Sequence, residues 1–310
     1  MAEPGPSDNS PKAVNGALYL YQSDPTPLPV FETRRDLPNK LVFIPGLTDT
    51  IGVVPYLPLL ANALHELGYS LVQPVTGSDL GGYGTSSLEG DAQEITNLIE
   101  HLVSHVNATG KIVLMGHSTG CQDTIAFLSR DRGVTVHGGI LQAPVSDCEY
   151  FDSRKSPADE QLLAKAAELI AAGKGGEMLP RTAPAKPEAG GISGNSAAIL
   201  QPAMTAYRFH SLNSHGTDDD MFSSVLSDDD IRRIWTPALN KAPILALMGA
   251  QDEFVPDGID RAGIINRWSK ILEGTPLHTK LIPGANHKVD DESAQQVLVQ
   301  SVVSFIKSLC

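Results

Sequence analysis

The chain has 310 residues, of which 41% are hydrophobic. This length is enough for one core of about 220 residues plus an insertion. Its formal net charge of -13 argues against nucleic acid as a partner and against binding to anionic membranes, because both require a basic surface. No apolar run approaches the roughly 18 residues that would predict a membrane span.

The first twelve residues and the cysteines indicate the cellular compartment in which we expect the protein to act. Residues 1–12 lack the basic segment followed by an apolar one that marks a secretory signal, and we expect them to form a flexible N-terminal arm. The three cysteines, Cys121, Cys148 and Cys310, are an odd number at wide spacing. This argues against a disulfide framework and a Cys-based metal site, and it favours the reducing cytoplasm.

Strand and helix patterns alternate along the first half of the chain. Strands are predicted at 17–21, 41–44, 70–74, 111–115 and 137–142, and helices at 56–67, 88–105 and 122–129. This alternation predicts an α/β fold with a mostly parallel sheet covered by helices on both faces. Ligands of such sheets bind beyond the carboxyl ends of the strands.

The sequence Gly116-His117-Ser118-Thr119-Gly120 lies directly between a predicted strand and a predicted helix. A serine on such a sharp turn is held out of the fold, within reach of a base, and small glycines on either side relieve the crowding. We therefore predict that Ser118 is the nucleophile of an α/β-hydrolase. The alternative is that Ser118 only caps the following helix.

The alternation breaks over residues 149–235, which we interpret as a cap inserted over the active site. The core then comprises 13–148 and 236–310. The insertion contains a helical pattern at 158–172, a Gly/Pro-rich stretch at 173–194 and a polar run with two triple aspartates. A disordered linker is the alternative for 174–193, whereas 202–209 has the composition of an ordered segment.

The two aspartate triplets of the insertion, 218–220 and 228–230, resemble metal ligands only superficially. Their spacing matches no EF-hand loop, and acidic residues after Ser223, Ser224 and Ser227 suit the first turns of capped helices. We therefore predict no metal site and no cofactor. An acidic cap could instead select a cationic substrate.

The remaining catalytic candidates follow late strands. A buried strand at 242–249 precedes Asp252, the predicted acid, with neighbouring Glu253 as its rival. A strand at 277–282 precedes a loop that contains His287, the predicted base, and a helix at 291–309 follows. The order Ser, Asp, His is that of an α/β-hydrolase triad.

An ester-cleaving triad also needs two backbone N–H groups to stabilise the oxyanion. Thr119 follows the nucleophile and is the first predicted donor. Leu47, in the loop Pro45-Gly46-Leu47-Thr48-Asp49 after an early strand, is the second, and Thr48 is the neighbouring possibility.

The loop 45–49, the Gly-rich segment 78–87, the elbow 116–123, and above all 205–209 with 218–224 resemble the α/β-hydrolases of the DUF1749 family. The resemblance covers nearly the whole chain after the first dozen residues. It implies a cytoplasmic serine esterase that hydrolyses fusarinine C-type siderophores, whose iron belongs to the substrate. A free-amine siderophore would suit an acidic cap formed by Asp218, Asp219 and Asp220. Two alternatives are an esterase or thioesterase for another acyl substrate and a non-catalytic binding protein on the same fold.

Overall fold

The computed structural model describes residues 13–106, 108–180 and 202–309. The predicted arm at 1–12 and residues 181–194 of the Gly/Pro-rich stretch lie outside these ranges. Eight strands form one sheet: β1 (Ala17–Gln22), β2 (Leu28–Glu32), β3 (Asn39–Ile44), β4 (Tyr69–Pro74), β5 (Ile112–His117), β6 (Gly138–Gln142), β7 (Ile244–Gly249) and β8 (Leu277–Ile282). The order across the sheet is β1-β2-β4-β3-β5-β6-β7-β8.

All strand pairs from β4–β3 to β7–β8 are parallel, whereas β2 is antiparallel to both of its neighbours. The strand β2 was not predicted because Pro29 is its second residue, and proline inside an apolar run argues against a strand. The strand forms near the edge of the sheet, where only β1 lies outside it.

The described helices are α1 (Leu57–Glu66), α2 (Leu88–His105), α3 (Gly120–Leu128), α4 (Asp147–Asp152), α5 (Pro157–Ala171), α6 (Ala206–Asn213), α7 (Asp228–Leu239), α8 (Arg261–Ile271) and α9 (Glu292–Ser308). The strands and helices predicted from periodicity agree with these bounds to within two residues. Polar caps fix several helix starts: Ser156 forms a capping box with Asp159, and Ser227 accepts the backbone N–H of Asp230.

The hydrophobic core lies on both faces of the sheet. In β5, Ile112 and Leu114 pack on the side of α2, α3, α7 and α8, whereas Val113 and Met115 pack on the side of α1 and α9. The central strands are largely apolar because both of their faces are buried. This two-sided covering is the predicted α/β-hydrolase architecture, with the carboxyl ends of β3, β5, β6, β7 and β8 at one edge.

Four of the described helices, α4 to α7, lie between β6 and β7, where the insertion is predicted. The aromatic rings of Phe222, Trp235 and Trp268 pack together, with 5.0 Å between the centroids of the two tryptophans. They attach α7 to α8. The predicted boundary at 235/236 falls inside α7, so this helix continues across it.

Among the described residues, no helix combines the length and the apolar character that crossing a bilayer requires.

Candidate active site

Ser118 occupies the turn between β5 and α3 with a backbone φ of 54°. A side chain at Gly116 would place its Cβ 2.0 Å from the carbonyl oxygen of Gly120, and one at Gly120 would come within 2.4 Å of the carbonyl oxygen of Ile44. Both glycines are therefore required for the turn to form. The left-handed conformation of Ser118 is the strain expected where a side chain is held out for chemistry.

The same strain recurs along the carboxyl edge of the parallel strands. Thr48, Leu80, Ala143 and Val289 also have positive φ values, between 56° and 65°. They lie in the loops after β3, β4, β6 and β8, respectively. Non-glycine residues in this region concentrate at functional sites, because the surrounding fold must hold them there.

Asp252 and His287 are adjacent in the structure. Both carboxylate oxygens of Asp252 lie near Nδ1 of His287, at 2.9 and 3.0 Å, and both side chains are buried. The Arg261 guanidinium donates two hydrogen bonds to the backbone carbonyl of Asp252, of 2.6 and 3.2 Å. The Asp252 carboxylate is therefore held at Nδ1, which leaves the opposite ring nitrogen, Nε2, available to a substrate.

Glu253, the rival acid, has a different contact. Its Oε2 accepts a hydrogen bond of 2.9 Å from the backbone N–H of His287 and not from the ring. Glu253 therefore fixes the histidine loop, whereas Asp252 orients the imidazole. The ring of Phe254 packs against that imidazole, with 4.3 Å between centroids.

Gln142, at the end of β6, connects the serine turn with the histidine loop. Its backbone carbonyl accepts the Ser118 N–H at 3.0 Å, and its Nε2 donates to the His287 carbonyl at 3.1 Å. Its Oε1 lies 2.6 Å from Nδ1 of His117 and 2.9 Å from the Tyr56 hydroxyl. No sequence motif singles out Gln142.

Within the described part of the chain, no hydrogen bond joins Ser118 to His287. Such bonds are often long in ligand-free enzymes and tighten when substrate binds. Gly46 approaches the serine from the other side, since a Cβ at Gly46 would lie 2.6 Å from Cβ of Ser118. The loop after β3 thus lies directly against the turn that carries Ser118.

Leu47 follows Gly46, and Thr119 follows Ser118, so both predicted oxyanion donors flank this contact. Neither backbone N–H donates a hydrogen bond to another residue in the described ranges. Leu47 and Thr119 also line one small cavity of about 20 Å³, which has room for one water molecule. The arrangement can therefore present two free N–H groups beside Ser118.

His117 lies at the centre of the site as a neutral imidazole that donates its Nδ1 proton to Oε1 of Gln142. Burial keeps the pKa of His117 well below 6.5, and the neighbouring His287 lowers it further. Its ring centroid is 4.9 Å from that of His287, and its Nε2 is 3.7 Å from the Asp49 carboxylate. A neutral, fully buried imidazole of this kind supports the site structurally.

A buried cluster of charges lies behind the oxyanion loop, and the sequence analysis missed it. Arg208 on α6 pairs with Asp219, and three more carboxylates, those of Asp91, Asp123 and Asp147, act on the same guanidinium. Burial and, second to it, the charge of Asp219 raise the pKa of Asp147 to about 7. Arg208 and Asp123 line the small cavity together with Leu47 and Thr119.

The acidic triplet 218–220 is divided between the interior and the surface. Asp219 pairs with Arg208, and Asp220 is buried and accepts the backbone N–H of Gly216 at 2.8 Å. Asp218 alone is exposed, where it accepts hydrogen bonds from Tyr207 and Ser211. The expectation that all three carboxylates face a cationic substrate is therefore wrong for Asp219 and Asp220.

A cleft of about 1040 Å³ lies between α2, α3 and the insertion, and Glu89, Tyr207, Asp218 and Asp230 are among its described lining residues. Ser118, Asp252 and His287 do not line it. We therefore place the candidate active site by the geometry around Ser118 and not by the size of this cleft.

The family described as "Protein of unknown function (DUF1749)" matches residues 8–307 of the chain. The UPF0613 protein PB24D3.06c of Schizosaccharomyces pombe is 32% identical, over 87% of this chain and 86% of that protein. Esterase AN6793 of Emericella nidulans is 30% identical, over 90% and 88%, and Fusarinine C esterase sidJ of Aspergillus fumigatus is 26% identical, over 95% and 96%.

Among solved structures, the siderophore hydrolase EstB from Aspergillus fumigatus superposes with a TM-score of 0.76 at 25% identity, covering 96% of this chain and 98% of that one. A monoglyceride lipase of Saccharomyces cerevisiae superposes with a TM-score of 0.65 at 13% identity, over 98% and 99%, which shows the shared fold alone. Both comparisons confirm the α/β-hydrolase fold predicted from the sequence.

Proposed function

The chain belongs to the DUF1749 family, and on that premise we propose that Ser118, His287 and Asp252 hydrolyse the ester bonds of a hydroxamate siderophore of the fusarinine C type. The chain is a carboxylic ester hydrolase, as its esterase and hydrolase relatives indicate. To this ester hydrolase activity we add, as a proposal, the siderophore as the substrate and the three residues as the catalytic triad.

The observation that carries the catalytic assignment is the contact of both Asp252 oxygens with Nδ1 of His287. This contact leaves Nε2 as the nitrogen that can take a proton. Ser118 Oγ attacks the ester carbonyl while His287 takes its proton, and the Asp252 carboxylate stabilises the resulting imidazolium. The N–H groups of Leu47 and Thr119 stabilise the oxyanion of the tetrahedral intermediate.

Collapse of that intermediate breaks the ester C–O bond. The alcohol leaves with the proton from His287, and the acyl group stays on Ser118. Water then attacks the acyl-enzyme and loses a proton to His287, which returns it to Ser118 Oγ as the ester C–O bond to the serine breaks and the carboxylic acid is released. No redox step is involved, and any iron enters and leaves as part of the substrate.

Two relatives support the siderophore as substrate: Fusarinine C esterase sidJ and the siderophore hydrolase EstB, each similar over almost the whole chain. We further propose the cytoplasm as the site of the reaction, which the sparse and widely spaced cysteines favour. Release of substrate iron by ester cleavage would then occur inside the cell.

Mass spectrometry tests the proposal directly. Ferric fusarinine C and its triacetylated form are incubated with the wild-type protein and with Ser118→Ala. We expect water-addition products from at least the free-amine compound with the wild type and none with the variant.

A fluorophosphonate probe separates the alternatives. Labelling of Ser118 without hydrolysis of either siderophore would retain a serine esterase or thioesterase and discard the siderophore substrate. Absence of labelling as well would favour a non-catalytic ligand-binding protein and overturn the catalytic assignment.

A further inference from the structure

Three side chains with metal-binding atoms meet outside the candidate active site. Sγ of Cys148 lies 3.4 Å from Nδ1 of His215, and the same nitrogen lies 3.5 Å from Oδ2 of Asp220. All three ligand atoms lie within 4.8 Å of one another. From this cluster we propose that Cys148, His215 and Asp220 bind a zinc ion.

The distances fit tetrahedral coordination. With Zn–S of about 2.3 Å and Zn–N and Zn–O of about 2.0 Å, ideal ligand atoms are about 3.5 Å (S to N) and about 3.3 Å (N to O) apart. The two measured separations differ from these by only a few tenths of an ångström. The third pair of ligand atoms, on Cys148 and Asp220, lies within 4.8 Å, so the ion would draw these two side chains together.

The contacts around the cluster also suit a metal. Nε2 of His215 lies 3.0 Å from the Asp152 carboxylate, so the imidazole can donate its proton there and present Nδ1 to the ion. Metal-binding histidines commonly have such a carboxylate behind them. Ser146 Oγ lies 3.2 Å from the Cys148 sulfur, and the Gly216 N–H donates to Oδ2 of Asp220.

A further observation is the other oxygen of Asp220. Oδ1 is buried and has no hydrogen-bond partner among the described residues, whereas buried carboxylate oxygens are normally paired. The side chain of Asp220 is 1% exposed and that of His215 is 40% exposed. The ion would therefore enter past His215, with the fourth position left to solvent.

A sulfur, nitrogen and oxygen donor set favours zinc over calcium or magnesium, which prefer oxygen alone. Zinc binds the thiolate form of cysteine, so the ion must displace the thiol proton of Cys148. Zinc binding must therefore release a proton and strengthen as the pH rises.

The site would join α4, directly after the core strand β6, to the segment between α6 and α7. Tyr150, on α4, packs against Phe254 with 4.7 Å between centroids, and Phe254 packs against His287. The ion would thus fix a helix that is two ring contacts from the predicted base. The wide spacing of the cysteines along the chain argues against a Cys-based metal site. The proposed site departs from that expectation because folding brings His215 and Asp220 to Cys148.

The test uses the full chain, stripped with a chelator and then given one equivalent of Zn²⁺. We expect about one zinc per chain after desalting and, at hundredfold excess over Kd, a rise in Tm of about 5 °C. Co²⁺ in place of zinc should give the near-ultraviolet charge-transfer absorption of a thiolate ligand. Failure to retain zinc, or a cobalt spectrum without that band, would overturn the proposal.

Variants assign the ligands. Cys148→Ser and His215→Gln should each abolish stoichiometric zinc retention, and Asp152→Asn should weaken zinc affinity by about 10-fold to 100-fold. His278→Gln, an exposed histidine on β8, is the matched control and should bind zinc as the wild type does. Zinc retention by His215→Gln equal to that of the control would refute the assigned ligands.

Two further measurements keep the test decisive. If Cys148→Ser does not fold, two measurements still test the proposal: zinc retention by His215→Gln, at a half-exposed position, and the cobalt spectrum of the wild type. Ser118→Ala should bind zinc normally, so the zinc site and the proposed esterase chemistry can fail independently.

Discussion

The carboxamide of Gln142 donates a 3.1 Å hydrogen bond to the backbone carbonyl of His287, 145 residues further along the chain. The same side chain accepts from the Tyr56 hydroxyl and contacts Nδ1 of His117. One buried amide therefore satisfies three groups around the predicted base. Because the backbone of Gln142 also accepts the Ser118 N–H, the end of β6 ties the serine turn to the histidine loop.

Gln142→Met should separate these elements. Each buried polar group left without a partner costs about 1–3 kcal/mol, so we expect the free energy of unfolding to fall by about 3 kcal/mol or more. We expect kcat to fall as well, because the His287 loop loses its anchor. Urea unfolding and ester kinetics measure the two effects. Thr96→Val, a buried hydroxyl on α2, should cost about 1 kcal/mol and leave kcat unchanged; equal effects of the two variants would contradict this role for Gln142.

Asp252→Asn and Glu253→Gln compare the two candidate acids. Loss of the carboxylate that orients the imidazole should lower kcat by about 10⁴-fold, and Ser118→Ala should lower it by about 10⁶-fold. Glu253→Gln should lower it by less than about 10-fold, because its carboxylate contacts only the backbone N–H of His287. Steady-state hydrolysis of a simple aryl ester checks the order. A larger loss for Glu253→Gln would reverse the assignment.

Gly46→Ala should impair catalysis without unfolding the protein. The added Cβ would lie 2.6 Å from Cβ and 3.2 Å from Oγ of Ser118, so the nucleophile must move. A displacement of this size costs about 100-fold in kcat. Gly176→Ala is the matched control, because a Cβ there meets nothing within 4 Å. Wild-type kcat in Gly46→Ala with an unchanged Tm would show that the serine is not held by this contact.

Asp147→Asn should stabilise the protein, and more strongly at neutral than at acidic pH. Burial raises the folded-state pKa of Asp147 from 3.8 to about 7. Between these two values the unfolded chain loses the Asp147 proton while the folded protein keeps it, so stability falls as the pH rises. Removing the carboxyl should therefore raise the free energy of unfolding by about 2 kcal/mol more at pH 7 than at pH 5.

Urea unfolding of the wild type and Asp147→Asn at the two pH values measures that difference. Asp229→Asn, whose side chain is 97% exposed, should change stability by less than about 0.5 kcal/mol at either pH. A stabilisation by Asp147→Asn that is the same at pH 5 and pH 7 would show that the Asp147 carboxyl titrates normally.

Asp218→Asn tests whether the insertion recognises substrate charge. Asp218 is the exposed member of its triplet, and an exposed ion pair contributes about 0.2–1 kcal/mol. We expect KM for free-amine fusarinine C to rise about 2-fold to 5-fold at low salt, with no change for the triacetylated form. Asp229→Asn again serves as the control. Equal KM changes for both siderophores would exclude recognition of the amine by Asp218.

The sequence by itself determined the core fold and the position of the nucleophile turn. Hydrophobic periodicity, helix caps and the glycines around Ser118 act over a few neighbouring residues, so they can be read locally. That is why the predicted strands and helices agree with the observed bounds. The same limit explains why β2 was not predicted. Pro29 argues locally against a strand, and only pairing with neighbouring strands in the sheet stabilises it.

Only the tertiary structure decided which distant side chains meet. It placed the Asp252 carboxylate, and not that of Glu253, on the His287 ring, and it buried Asp219 against Arg208. Spacing along the chain carries no information about such contacts, since the chain returns to the same strand edge after excursions of many residues. Adjacent aspartates in one triplet therefore end in opposite environments, one in solvent and one paired with a buried guanidinium.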